Sequence, residues 1–427
     1  MWLAALAPGR AANRQFMTGY TGSLPSSPQD LAKTYFRRPE VRRLLARLEA
    51  GPLSEKAIRQ QLAGTPTSLP DLLRMKLVTD QGGKIRIGFA YFTAADMKLI
   101  HRIAAAYVPK LVAACRANRG EFDADFAPYP VNTVSRKRLA FVLLAGFSLN
   151  WNGLDLLREE GYRQPVLVKG QGWQYSFWAE EDTPSYSYKG YYWGSSSFPA
   201  GTANVTPPVD FTFSSFGDPY SDPRQNFPDL LTLPPDQMSA PLRAAAEALG
   251  LRDETALGTD FHNVIGLSRT REIGDVLFAM RAGAKSKPAI CSVLTSEKNK
   301  CVALLGLLVA SGYIRKDGTD YRLLVPVFDR ADEILVHRVV EHSREIMQHW
   351  LNENYAPMRK ALSSLTAMKA GVPYPALFSQ IWHELFGLTT RELAKDGMIE
   401  DANSSSSSWK GSVPAVWRMT VFHHVWE

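Results

Sequence analysis

The sequence predicts a mainly helical protein of the mixed α+β class, with small β-hairpins and one unit present twice. Three observations carry this expectation. The stretch YFTAADMKLIHRI (Tyr91–Ile103) returns as VFDRADEILVHRV (Val327–Val339), and a single shift of 236 residues (328 − 92) aligns Phe92 with Phe328, Asp96 with Asp332, Leu99 with Leu335, His101 with His337 and Arg102 with Arg338. The same shift pairs Leu72 with Leu308, Gly82 with Gly318, Arg86 with Arg322 and Gly161 with Gly397. Further upstream, EVRRLLARLEAG from Glu40 matches EIGDVLFAMRAG from Glu272 at a shift of 232 (272 − 40), so the second repeat carries four extra residues in between, near Thr295–Lys298. A period this long exceeds the roughly 20 to 50 residues of a solenoid unit and indicates two homologous domains in one chain.

The elements follow in order. Residues 1–30, with TGYTGSLPSSPQD, read as a disordered lead-in. The first repeat spans 31–162. VRRLLARLEA places Val41, Leu44, Leu45 and Leu48 at helical spacing with Arg42, Arg43 and Arg47 outside, and Gly51-Pro52 closes it. Ser54 caps the helix SEKAIRQQL, and TSLPDLLRMK forms a third, with Pro70 tolerated in its first turn. KLVTDQGGKIRIGFAYF reads as strand, Gly-Gly turn and strand. In the second repeat, 268–427, the same four elements are EIGDVLFAMRA, SKPAICSVL, SEKNKCVALLGLLVASG and YIRKDGTDYRLLVPV. A long helix follows each hairpin, from Thr93 and from Asp329. EFDADF (Glu121–Phe126) reads as a turn, and the remainder of each repeat as two helices ending at Gly161 or Gly397. AVWRMTVFHHVW alternates as a strand.

Helix, helix, helix, hairpin is an order that resembles the winged-helix DNA-binding superfamily in its MarR and ArsR layout. The more specific half is LLVASGYIRKDGTDYRLL, where a helix ends at Gly312, Tyr313 opens a strand and a charged turn sits at Asp317-Gly318. The resemblance covers both repeats. It implies a third helix in the major groove, a wing near phosphate, and a helix after the wing that builds a dimer interface, here within one chain as a pseudo-dimer. The DNA-binding candidates it selects are Lys298, Asn299 and Lys300 on the helix and Arg315, Lys316 and Arg322 on the wing of the second repeat. In the first they are Arg74, Lys76, Lys84 and Arg86, although Pro70 and Asp71 occupy the helix start, where a carboxylate opposes phosphate.

Between the repeats, residues 163–267 are rich in aromatics: WQYSFW, YSYKGYYW and FTFSSFGDPYSDP. Such density excludes a solvated linker. It predicts an irregular, β-rich insert packed on the two repeats, or a pocket for a small planar ligand walled by Trp173, Trp178, Tyr191, Tyr192 and Trp193.

The formal net charge of +7 divides into +10 for residues 1–162, −6 for 163–267 and +3 for 268–427, an asymmetry that suits a polyanion partner such as double-stranded DNA. No apolar run is long enough to span a bilayer and MWLAALAPGR lacks a basic leader region, so the sequence reads as cytoplasmic with no membrane partner. Cys115, Cys291 and Cys301 show no CxxC spacing and read as reduced buried thiols. His337, Glu341, Glu345 and His349 follow i, i+4 spacing with His342 nearby. The first repeat has Ala105, Pro109 and Ala113 where the later three fall, so solvated pairs are expected there and no metal. His101 reads as a structural histidine. No phosphate loop, GxSxG or HExxH motif is found, so no catalytic residue or cofactor is assigned. The expectation is a DNA-binding transcriptional regulator that responds to a ligand. The alternatives are an enzyme or small-molecule-binding protein on the same scaffold, or a protein-binding adaptor.

Overall fold

The structure, a computed structural model, describes residues 14–23, 25, 27–130, 134–181, 194–200, 211–217, 240–241, 243–244, 266–294, 300–402 and 412–418. It is a mixed α+β protein, mostly helical with small sheets. Residues 16–23, expected in a disordered lead-in, form strand β1 (Phe16–Ser23). After α1 (Ala32–Phe36), helix α2 (Pro39–Glu49) buries Val41, Leu44, Leu45 and Leu48 as its spacing requires. Then come β2 (Leu53–Ser54), α3 (Glu55–Leu62), capped by the Ser54 hydroxyl, and α4 (Leu69–Arg74), opened by a Ser68/Asp71 capping box. Strands β3 (Val78–Gln81) and β4 (Lys84–Ile87) turn at Gly82-Gly83, both at positive φ. The expected second strand breaks before β5 (Ala90–Phe92). A Cβ at Gly88 would lie 2.8 Å from the Lys76 carbonyl oxygen, so the backbones cross there.

Helix α5 (Ala94–Ala117) starts at a Thr93/Asp96 box. EFDADF is helical rather than a turn, within α6 (Arg119–Phe126), because Phe122 and Phe126 sit one turn apart and both bury. Where two helices were expected there is one, α7 (Arg136–Glu159), wound as a π-helix over Phe141–Asn152. Residues Phe141 to Trp151 are all buried, so no position there would let water satisfy a broken backbone. By length and composition α7 is apolar enough to cross a membrane, but 89% of its apolar window is covered by the rest of the protein. Strands β6 (Leu167–Gly170) and β7 (Trp173–Glu181) follow.

The second half comprises β8 (Gly194–Ala200), β9 (Phe211–Gly217), α8 (Gly266–Arg281), α9 (Lys287–Cys291), α10 (Cys301–Ala310), β10 (Ile314–Asp317), β11 (Asp320–Leu323) and β12 (Val327–Phe328). It ends with α11 (Glu333–Ala361), α12 (Thr366–Lys369), α13 (Tyr374–Lys395) and β13 (Ser412–Trp417). The Asp329/Asp332 box ahead of α11 matches the box ahead of α5.

The sheets extend the internal repeat beyond what the residues alone suggested. β7 lies between β1, antiparallel with Gly19 opposite Trp178, and β5, parallel with Tyr91 opposite Ala179. β13 takes the matching place, antiparallel to β9 with Ala415 opposite Ser214, and parallel to β12 with Val327 opposite Val416. The described strands of 163–267 therefore divide between two sheets: β6 and β7 with β1 and β5, and β8 and β9 with β12 and β13.

Among the described residues three apolar cores result. One lies under α2 to α4 and the first hairpin, a second under α8 to α10 and the second hairpin, and the largest is shared by both halves. In the shared core α5 packs on α11, but each also takes the other half's last helix: α13 lies on α5, and α7 lies on α11. The crossing is pinned reciprocally. Gln164 donates its amide to the Pro375 carbonyl at 3.1 Å, and Glu400 donates its amide to Lys137 at 2.9 Å. Trp382, fully buried on α13, donates to the Leu149 carbonyl of α7 at 2.8 Å, and His101 on α5 meets Glu384 on α13 at 2.8 Å. His101 is thus a structural histidine with a buried carboxylate for partner.

Candidate nucleic-acid interface

In the second helix-hairpin unit, α10 buries Leu304, Leu305, Leu307 and Leu308. Its outer face is apolar as well, with Val302 57% and Val309 40% exposed. Reading a base edge in the major groove needs hydrogen-bonding side chains, and α10 has none from Cys301 to Ala310 apart from its first residue. That residue is not a thiol. Cys301 is bonded to Cys291, with the two Cα atoms 5.7 Å apart, which corrects the expectation of reduced cysteines; Cys115 remains a free, buried thiol whose pKa burial raises to about 12. Lys300 stands at the N-cap of α10, whereas Lys298 and Asn299 lie outside the described residues.

The unit's hairpin carries exposed charge, as do Lys285 and Lys287 beside it. Arg315 and Arg322 are opposite one another in register, Lys316 is opposite Tyr321, and all three cations are exposed. Arg315 also grips Asp317 at 2.7 and 3.1 Å, a bond that holds the Asp317 carboxyl below its ordinary pKa.

In the first unit the candidates are dispersed. Arg74 is bound to Asp30 at 3.0 Å and to the Tyr35 hydroxyl at 3.1 Å, with Asp71 at 3.7 Å, so its charge is largely compensated. Lys76 is exposed in the left-handed region at φ 56°. Lys84 and Arg86 share one face of β4, but Arg86 is half-buried opposite Thr79. The tip of this hairpin leans on the other half: a Cβ at Gly371 would lie 2.9 Å from the Gln81 side chain.

The aromatic candidates separate too. Trp178 is 6% exposed and covers Gly19 of β1, where a Cβ would be 2.1 Å from its ring, so it is a core residue. Trp173 stacks on Tyr175 at 5.8 Å at the edge of the first unit's core. Tyr191, Tyr192 and Trp193 lie outside the described residues. Among the described residues no group of three or more His, Cys, Asp and Glu side chains is arranged to hold a metal. His342 of the helical ladder instead meets Asp125 at 2.7 Å, a partner hidden from sequence because α6 was read as a turn.

Comparison with family models, with curated proteins and with solved structures finds no match.

Proposed function

We propose that the chain is a DNA-binding transcriptional regulator whose two helix-hairpin units are winged-helix copies joined as an intramolecular pseudo-dimer, with duplex contact led by the second unit's hairpin. The observation that carries this reading is the exposed trio of Arg315, Lys316 and Arg322 on β10 and β11. Cations so placed neutralise phosphates and release counterions. The packing of α5 on α11 supports the pseudo-dimer, since these are the helices that follow the two hairpins. Phosphate contacts set position and carry no sequence information directly, and α10 offers no base-reading face.

Fluorescence anisotropy on genomic duplex fragments at about 50 mM salt tests the reading. Lys316→Glu combined with Arg322→Glu should weaken binding and lower the slope of log K against log salt by roughly 1.8, at about 0.9 per lost phosphate contact. Lys76→Glu with Lys84→Glu should change it less. Absence of binding by the wild type at low salt would sink the proposal.

The exposed Val302 and Val309 favour a second reading, a protein-binding adaptor that docks through α10. Val302→Asp with Val309→Asp leaves duplex affinity unchanged if the hairpin leads, and abolishes association with a protein partner if α10 does.

A further inference from the structure

A cavity of about 590 Å³ opens between β1, α1 and the start of α2, and no residue of either hairpin lines it. Four cations line it, Arg14, Lys33, Arg37 and Arg42, with the rings of Phe16 and Phe36 and no carboxylate. Two of the guanidinium groups behave differently. Arg14 gives the edge formed by Nε and Nη2 to the two oxygens of Glu181, the Nε bond being 2.7 Å, and gives Nη1 to Glu49 at 2.5 Å. Arg42 lines the cavity too, but its own Nε and Nη2 edge is tucked away from solvent and has no hydrogen-bond partner. Its guanidinium carbon lies over Phe16 at 5.1 Å and near Phe36 at 5.9 Å. A buried donor pair without an acceptor is costly, and its geometry matches two oxygens of one oxyanion.

We infer that this cavity binds a small phosphate monoester, its phosphoryl oxygens among Lys33, Arg37 and Arg42, a turn of the Arg42 side chain bringing its unpartnered Nε and Nη2 edge to them, and its organic body against Phe16 and Phe36. A dianion suits the site better than a single carboxylate, because three cations face it beyond Arg14, whose own charge is met by Glu181 and Glu49. Burial lowers the pKa of Arg42, and burial together with Arg37 lowers that of Lys33, which is the strain an incoming anion relieves. The proposal is independent of DNA binding, since it uses none of the residues assigned to the duplex.

Isothermal titration of the full chain with phenyl phosphate, inorganic phosphate and phenol at matched ionic strength tests it. Phenyl phosphate should bind roughly tenfold more tightly than inorganic phosphate, and phenol should not bind. Arg42→Lys keeps the charge but loses the two-donor edge, and should cost about tenfold or more in phenyl phosphate affinity. Lys33→Gln should weaken binding too, and supplies the test should Arg42→Lys misfold. Arg43→Gln, on the exposed side of α2, should bind as the wild type does. Equal affinities for phenyl phosphate and inorganic phosphate, or an equal loss in Arg43→Gln, would overturn the inference. A loss of duplex affinity in Arg42→Lys as large as its loss of phenyl phosphate would overturn it as well, by assigning the cavity to backbone phosphate.

Discussion

The two helix-hairpin units differ at the junction between their second and third helices. In the first, hydrogen bonds hold the junction: Arg38 donates to the Pro66 carbonyl and the Thr67 hydroxyl, both at 3.0 Å, and Thr67 donates to the buried Glu40 at 2.7 Å. In the second, the Cys291–Cys301 disulfide spans the same place. By the two shifts the positions of these cysteines correspond to Arg59 (291 − 232) and Thr65 (301 − 236), and the four extra residues fall between them. A longer junction loses more chain entropy on ordering, and a cross-link across it removes part of that cost from the unfolded state. The two units thus each bury a core of their own while holding this connection by different means.

If the units are separately cored, equivalent cavities should have separate consequences. Leu72 and Leu308 are matched by the repeat and both are fully buried, in different cores. Leu72→Ala and Leu308→Ala should each cost about 2 to 5 kcal/mol in the local stability of its own unit. Hydrogen exchange reads this directly, with protection falling in one unit and persisting in the other. Loss of protection in both units from either change would mean that the shared core couples them, and that the comparison between them is not between independent parts.

The junction itself is tested by reduction. Closing so short a loop should be worth about 2 to 3 kcal/mol, so Cys291→Ser or a reducing agent should loosen α9 and α10 by that amount and leave α2 to α4 unchanged. An unchanged second unit after complete reduction would show that the covalent link adds nothing to the packing of Leu304 and Leu308.

What could be read in advance was what is local. Apolar spacing located α2 and α3, and Gly82-Gly83 and Gly318 marked the hairpin turns, because each of these signals acts within a few residues. β1 escaped because its reason is distant: Thr21 and Tyr20 lie opposite Ser176 and Phe177, far along the chain. Arg42 was read as a solvated outer-face residue for the same reason, since Phe16 of β1 is what covers it. The disulfide depends on a tertiary approach that a ten-residue spacing does not reveal, and α10 is apolar all round, so periodicity could not separate its exposed valines from its core leucines.

The smallest expected effect compares the last helices of the two halves, α7 and α13, at two matched positions where their chemistry parts. His383 takes the place of Phe147 (383 − 236), and Asp155 takes the place of Arg391 (391 − 236). Burial, opposed by a hydrogen bond with the Ser379 carbonyl, holds the His383 imidazole down from 6.5 to about 4, and burial raises the Asp155 carboxyl from 3.8 to about 6 against the pull of Arg158. The two act in opposite directions. Between about pH 4 and 6.5 the unfolded chain binds a proton at His383 that the folded chain refuses, so stability is lost as pH falls through that window. Between 3.8 and about 6 the folded chain keeps a proton on Asp155 that the unfolded chain has released, so stability is lost as pH rises. From pH 7.5 to 5.5 the histidine should remove roughly 1 kcal/mol and the aspartate return somewhat less, leaving a small net loss. His383→Gln should reverse the sign, so that the variant gains stability over the same interval relative to its own value at pH 7.5. Paired urea titrations at the two pH values measure the difference, in which the other ionisable groups common to both proteins cancel. Parallel pH dependences for variant and wild type would show that His383 is not held neutral by burial, and that the two helices differ at this position only in shape.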